Sequence, residues 1–269
     1  MLRLSATGAT HVGRVRADNQ DAAFVGPDLV LVADGVGGGA AGEVASATTA
    51  YAVVATALAR RGDDPTLVLA QGVRTAQEQV RRGVALDPAR EGMATTLTAV
   101  LTDGRTFGLA HLGDSRGYVL RGDELVRVTR DHTWVAGMVE EGRLDEQEAR
   151  EHPWRNVVTR SVNGDPARHA DVLPLGLRVG DRVLLASDGL TDLVDEPEIE
   201  RLLLAHDDDP CVEVLLDLAL ERGGRDNVTV VLGTVVDGPQ VSADGRVLGS
   251  LADPAHVVDP SAVSGARTA

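Results

Sequence analysis

Thr95-Thr96-Leu97-Thr98-Ala99-Val100-Leu101-Thr102-Asp103-Gly104-Arg105-Thr106-Phe107-Gly108-Leu109-Ala110-His111-Leu112 is the stretch that decides the fold. Two runs of strand length face each other across Asp103-Gly104, a strong hairpin signal. The pattern repeats at once, with residues 118–120 and 125–129 on either side of Gly122-Asp123. Upstream, the apolar run 29–33 is stopped by Asp34-Gly35; downstream, residues 182–187 and 228–236 also read as strands. Helical segments are expected at 41–61, closed by Gly62, and at about 65–82, ending on Gly83. Another runs from Asp209 as N-cap, with Pro210 in its first turn, to Arg222. Consecutive hairpins point to antiparallel sheet with helices packed outside it, not to a parallel βαβ sheet.

The 269 residues allow one large domain or two small ones, and 43% hydrophobic content is ample for a core. Acidic residues outnumber basic ones 41 to 26, a formal charge of −15. Such a surface repels phosphate backbones, so no nucleic-acid partner is expected. No apolar run approaches the roughly 18–20 residues of a membrane span, and residues 1–10 lack the pattern of a secretory signal. The single cysteine, Cys211, cannot form an internal disulfide, which suits a reducing cytoplasm. A cytoplasmic monomer is expected. Residues 133–150 are polar and helical, interrupted by Pro153; beyond Asp237, with Pro239, Pro254 and Pro260, a flexible tail is expected over 238–269.

Chemistry is suggested by where the aspartates sit. Asp34 and Asp114 end apolar strands, Asp188 follows a third, and Asp226 precedes the last. One strand-end Asp is ordinarily a turn former. Four of them, beside Gly35, Gly113, Gly189 and Asn227, would repel one another if the strand ends converge, unless cations sit between them. Oxygen donors without His or Cys select hard ions such as Mg²⁺ or Mn²⁺.

Seven motifs occur in order: 13–21 (Gly-Arg-Val-Arg-Ala-Asp-Asn-Gln-Asp), 32–38 (Val-Ala-Asp-Gly-Val-Gly-Gly), 92–96 (Gly-Met-Ala-Thr-Thr), 111–116 (His-Leu-Gly-Asp-Ser-Arg), 129–132 (Thr-Arg-Asp-His), 185–190 (Leu-Ala-Ser-Asp-Gly-Leu) and 226–229 (Asp-Asn-Val-Thr). The ordered set resembles the metal-dependent Ser/Thr protein phosphatases of the type-2C class in their compact bacterial form. The resemblance implies an α+β fold, a four-layer α-β-β-α sandwich whose central antiparallel β-sandwich is flanked by helices. It implies a catalytic domain over 1–237, with a flap insertion at about 131–162. It implies two to three divalent cations, Mn²⁺ or Mg²⁺. Asp34 would bridge two metals and the Gly35 carbonyl would bind one. Asp188 and Asp226 would complete the ligand set of the second metal, and Asp114 with Asp188 would hold a third ion. Asp21 would orient metal-bound water, with Gln20 and Asn227 in support, and Arg16 would grip the phosphate. Two cations about 3.5–4 Å apart can share and acidify one water for in-line attack on phosphorus. The implied partners are phosphorylated proteins, a cognate Ser/Thr protein kinase among them.

This chain departs from the wider family twice. Gln20 stands where many members have Glu, removing a charge near the metals, and Val36 stands where animal members carry a His proposed as general acid. Other motif readings fit the sequence less well. Residues 113–117 fit G-x-S-x-G, but a strand, not a helix, is expected after them. Residues 37–42 fit G-x-G-x-x-G, but no strand-end acid follows at the required distance. Cys211 lacks the arginine of a C-x5-R phosphatase loop, since Asp217 occupies that position, and His111 reads as a core residue. The alternative from another class is a catalytically impaired, metal-binding interaction module of the same fold.

Overall fold

The computed structural model of the chain describes residues 1–36, 41–238 and 245–259. Its elements in order are β1 (Leu2–His11), β2 (Asp21–Val25), β3 (Leu29–Val36), α1 (Gly42–Ala59), α2 (Pro65–Leu86), β4 (Ala94–Thr95), β5 (Leu97–Thr102), β6 (Phe107–Leu112), β7 (Arg116–Arg121) and β8 (Glu124–Arg127). There follow α3 (Trp134–Glu140), α4 (Glu146–Glu151), β9 (Asp171–Leu175), β10 (Arg182–Ala186), α5 (Asp188–Thr191), α6 (Glu196–Ala205), α7 (Asp208–Glu221), β11 (Val228–Asp237) and β12 (Arg246–Gly249).

One sheet runs β1-β11-β10-β7-β8. The other runs β12-β2-β3-β5-β6-β9, with β4 paired to β3. The Asp103-Gly104 turn joins β5 to β6 as the sequence predicts, pairing Thr102 with Phe107.

The four layers follow from the period of two along a strand. On β3, Val30 and Val32 face the other sheet and meet Val183, Leu185 and Val231. Leu31 and Ala33 face outward, under Val53 of α1 and Leu69 of α2. On β10 and β11, Leu184, Ala186, Val230 and Leu232 point the opposite way and pack under Ile199 of α6 and Leu215 of α7. Both faces of each central strand are therefore buried. That explains why 29–33 and 228–236 read as continuous apolar runs rather than alternating ones.

Several local expectations need correction. Helix α1 spans Gly42–Ala59 and α2 extends to Leu86. Asp207, not Asp209, is the N-cap of α7. The next aspartate, Asp208, is held by Arg182 Nε at 2.8 Å and Thr234 Oγ1 at 2.7 Å, which fixes the start of the helix against the sheet. Cys211 is fully buried in α7, and burial pushes its thiol up to about 11. Residues 238–269 are not uniformly a tail: 246–249 form β12, and the chain continues as two single 3-10 turns up to His256. The glycines at 37–39 and Ala40, from the fingerprint-like run, lie outside the described residues.

The segment 131–162, expected as a flap, leaves the sandwich through paired backbone bridges. Thr133 pairs with Val158, and Thr95 pairs with Val162. Among the described residues no helix is long and apolar enough to cross a membrane.

Candidate active site

The strand-end aspartates converge at one end of the seam between the two sheets. Asp34 sits near the end of β3, and its backbone is clamped on both sides. Its N–H donates to Thr96 Oγ1 at 2.8 Å, and its carbonyl accepts from Thr95 Oγ1 and Thr96 N, each at 2.8 Å. Directly opposite it in the β2–β3 ladder stands Asp21. The Asp21 carboxylate is completely buried, and its Oδ2 accepts from Thr229 Oγ1 at 2.6 Å and Ser187 Oγ at 2.9 Å. Both hydroxyls belong to the other sheet's end of the seam, so one carboxylate ties the two sheets together.

Ser187 immediately precedes Asp188, the first residue of α5. Gly189 follows because a Cβ there would overlap the Asn227 carbonyl oxygen. Asn227 is a buried hub. Its Oδ1 accepts from Gln20 N at 2.8 Å, and its Nδ2 donates to the carbonyls of Val12 at 2.8 Å and Asp18 at 2.9 Å. It thus anchors the β1–β2 loop, which carries Arg16, to the start of β11 beside Asp226. Arg16 Nη2 donates to Asp226 Oδ2 at 2.7 Å. Asp114 lies where the chain crosses from β6 in one sheet to β7 in the other. Gly113 turns the chain there at φ 113°, against Thr96.

Burial and neighbouring charge shift these carboxylates together. Loss of solvent, then Asp21, Asp188, Asp114 and Asp226, hold Asp34 well above the usual carboxylate range. Loss of solvent, then Asp114, Asp192 and Asp226, do the same to Asp188. Burial lifts Asp21 to about 6 despite its two hydroxyl donors. Burial and then Asp131 and Asp192 lift Asp114 to about 7. The hydrogen bond from Arg16 to Asp226 raises the arginine further.

Beside Asp114 lies a second polar cluster. Gly113 N–H donates to His132 Nδ1 at 3.0 Å, and the ring's Nε2 lies between Asp171 Oδ2 at 3.0 Å and Arg160 Nη1 at 2.8 Å. Burial keeps His132 below its usual range, in line with a neutral ring. His111 is a core residue as expected, held between Thr98 Oγ1 and the Arg130 carbonyl, with burial driving it down to about 4. Arg116 grips Asp131 through Nε and Nη2. Ser115 is fully buried against Thr96 Oγ1 at 2.7 Å and is followed by strand β7, which removes the hydrolase-elbow reading.

Sequence reasoning thus named Arg16, Gln20, Asp21, Asp34, Gly35, Asp114, Asp188, Asp226 and Asn227, and all nine meet here. It missed the hydroxyls that hold them: Thr95, Thr96, Ser187 and Thr229. It also missed Asp192, four residues after Asp188, which acts on both Asp114 and Asp188. Glu43 was missed as well: Gln20 Nε2 donates to its Oε2 at 3.3 Å, so an acid from α1 reaches the place where Gln20 supplies no charge. Glu43 directly follows the glycine-rich run, in the first turn of α1, and that position is the only signal for it.

The donor set fits hard divalent ions. It is all oxygen, and Asp188 Oδ1 is buried without a hydrogen-bond partner among the described residues. No three His, Cys, Asp or Glu side chains among those residues form a closed ion cage by themselves. Mg²⁺-like ions do not need one, because they bind through one or two carboxylates and keep several waters.

Comparison with known proteins places this geometry. The family model described as Protein phosphatase 2C matches residues 7–208. The serine/threonine protein phosphatase PstP of Mycobacterium tuberculosis is 42% identical over 225 residues, 84% of this chain, which spans only 44% of that relative's length. The serine/threonine phosphatase stp of Listeria monocytogenes is 32% identical over 237 residues, 83% of this chain and 92% of the relative. Among solved structures, the catalytic domain of PstP in complex with 2 manganese ions superposes with a TM-score of 0.79 at 39% identity. That match covers 88% of this chain and 100% of the solved one.

Proposed function

The chain belongs to the protein phosphatase 2C family, and we propose that it hydrolyses phosphoserine and phosphothreonine esters in proteins, with residues 1–237 as the catalytic domain. The observation that carries this reading is the crowding of Asp34, Asp188 and Asp114: burial raises all three, Asp188 and Asp114 raise Asp34 further, and Asp114 raises Asp188 further. Like charges are gathered at such a cost where cations offset it.

Asp34, the Gly35 carbonyl, Asp188 and Asp226 would hold two divalent ions, and Asp114 with Asp188 a third. Bound there, Mn²⁺ or Mg²⁺ would supply an acidified water and a polarised phosphoryl group. The protein's own contribution is placement. Thr95 and Thr96 lock the Asp34 backbone, Ser187 and Thr229 fix the Asp21 carboxylate, and Asn227 sets the Arg16 loop. Arg16 presents a planar fork that matches phosphate oxygens. A side-chain nucleophile has little support: Thr95, Thr96, Ser115, Ser187 and Thr229 are buried and already hydrogen-bonded. With Val36 after Gly35, no imidazole stands there to protonate the leaving alkoxide, and we assign that proton to solvent at the site.

Substrates of this reading are phosphoproteins, a cognate Ser/Thr kinase among them, met by a cytoplasmic monomer. The deciding experiment is Mn²⁺-dependent phosphate release from a phosphothreonine peptide. Turnover that stops with EDTA and is lost in Asp34→Asn supports the reading. A Mn²⁺-loaded wild-type chain that binds such peptides without turnover is instead an interaction module.

A further inference from the structure

We propose that Ser250 is a positioning residue of the metal site and that residues 246–259 form a strap holding the strand that carries Asp21. The proposal rests on the metal-site reading above and adds to it an element from outside the catalytic domain.

Without β12, strand β2 would be the edge of its sheet, with Asp21 at its first position. Strand β12 covers that edge through four pairs, from Arg246 opposite Val25 to Gly249 opposite Ala22. The strap then comes into contact with the site strand. Gly249 turns at φ 65°, and a Cβ at this position would overlap the Asp21 carbonyl oxygen. Only glycine allows both the conformation and the approach. The next residue, Ser250, is 4% exposed, and its Oγ donates to that same Asp21 carbonyl at 3.0 Å.

Ser250 does not act alone. Ser46 of α1 donates through Oγ to the Gln20 carbonyl at 2.5 Å, and the two serine oxygens lie 2.8 Å apart. Two hydroxyl protons serve three close contacts. The Gln20 carbonyl also accepts from Gly35 N–H at 3.2 Å, whereas the side-chain donor to the Asp21 carbonyl is Ser250, which reaches it only when its proton is not given to Ser46. The pair therefore clamps successive peptides, Gln20 and Asp21, immediately beside the Asp34 register position.

The rest of the strap is fastened to helices. Leu251 enters the core between the sheet and α1. Thr48 Oγ1 donates to the His256 carbonyl at 3.2 Å and accepts from Val258 N at 3.2 Å. His256 Nδ1 reaches the Ser250 carbonyl at 3.0 Å, steadying the turn behind Ser250. Arg82 of α2 pairs with Asp259 at 2.6 Å. Ser46 and Thr48 are buried polar residues on an otherwise alanine-rich helix, and the strap gives both a partner. A buried carbonyl that loses its donor relaxes toward another one. Here that movement would shift Asp21 against Asp34.

The test is Ser250→Ala in the full chain, checked for an unchanged far-ultraviolet circular dichroism spectrum. Mn²⁺ affinity is measured by calorimetry, and amide exchange is measured across residues 21–23. The expected result is Mn²⁺ binding weakened about 3- to 10-fold, the size of one lost buried hydrogen bond, with faster exchange at 21–23 and an unchanged KM for phosphopeptide. Should Ser250→Ala not fold, Arg82→Ala decides instead, since it releases the outer end of the strap and leaves every buried contact; a smaller effect of the same sign is expected. Unchanged Mn²⁺ affinity in the folded variant overturns the proposal, even if its melting temperature falls. A wild-type chain that binds Mn²⁺ but hydrolyses nothing would sink the phosphatase reading, and the affinity comparison would still judge the strap.

Discussion

Arg16 Nη2 lies 2.7 Å from Asp226 Oδ2, so the arginine proposed to grip phosphate is paired with a carboxylate proposed to bind metal. The Arg16 side chain is 54% exposed, and a pair so open to solvent is held by about 1 kcal/mol or less. An ion that draws Asp226 toward itself therefore frees the guanidinium at little cost. Metal loading and phosphate binding should be ordered, metal first.

The corresponding variant is Arg16→Ala. It should lower kcat/KM for a phosphopeptide roughly 10- to 100-fold, the range of a lost charge-assisted phosphate contact. Mn²⁺ affinity should stay level or rise, since Asp226 loses its competitor. Weakened Mn²⁺ binding with unchanged phosphopeptide binding would show that Arg16 serves the metal site instead.

Asp34→Asn and Asp188→Asn should each cost at least about 100-fold in kcat, because stabilisation by paired metals is worth several kcal/mol. Each should also make the metal-free protein more stable than wild type, by removing one of the crowded charges. Melting curves in EDTA test that second part independently of activity.

The raised carboxylates set a pH dependence with a definite sign. Asp21 titrates at about 6, Asp114 at about 7, and Asp34 and Asp188 well above their ordinary values. From about pH 4 to about pH 7 these four carboxylates hold more protons in the folded chain than in the unfolded one and make stability fall as pH rises. His111 and His132, lowered by burial, oppose that slope in part but are outnumbered. Asp171 and Asp181 shift the other way: burial is outweighed at Asp171 by Arg160 and His132, and at Asp181 by Arg121. Their contribution is lost only as pH drops below the ordinary carboxylate range. In EDTA the melting temperature should decline across pH 4–7. Excess Mn²⁺ should flatten or reverse that slope.

Both tryptophans lie in the segment 131–162, expected as a flap. Trp134 and Trp154 meet edge-on with ring centroids 5.0 Å apart, and His152 packs 5.1 Å from Trp134. Trp154 is 55% exposed, and Arg155 next to it acts on Asp192 at the site. A non-hydrolysable phosphonate peptide added to the Mn²⁺-loaded chain should shift tryptophan emission without changing far-ultraviolet circular dichroism. Constant emission at saturation, with flap variants that keep the same order of peptide preference, would mark the segment as scaffold.

How much of this was legible in the sequence depended on periodicity and motif spacing. Strands β3, β5, β6, β10 and β11 are buried on both faces and announce themselves as apolar runs. Strand β2 is five residues long and starts with an aspartate, and β12 lies among prolines and glycines, so neither carries a local signal. The charged site residues were legible because aspartates beside Gly or Asn recur at strand ends. Ser46, Ser187, Thr229 and Ser250 were not. A buried hydroxyl earns its role from the carbonyl or carboxylate opposite it, and that partner is up to 229 positions away.

The aspartates proposed as metal ligands come from both sheets: Asp34 lies near the end of β3 in one, Asp188 and Asp226 flank β10 and β11 in the other, and Asp114 stands on the crossing between them. A divalent ion seated there would join segments separated by well over a hundred residues, in a chain whose one cysteine is buried and free. It would do the work that a disulfide does in a secreted protein, closing a long loop of the unfolded chain and resisting separation of the sheets. The metal-loaded protein should then resist a protease far longer than the melting temperature alone suggests, because cleavage must wait for the seam to open.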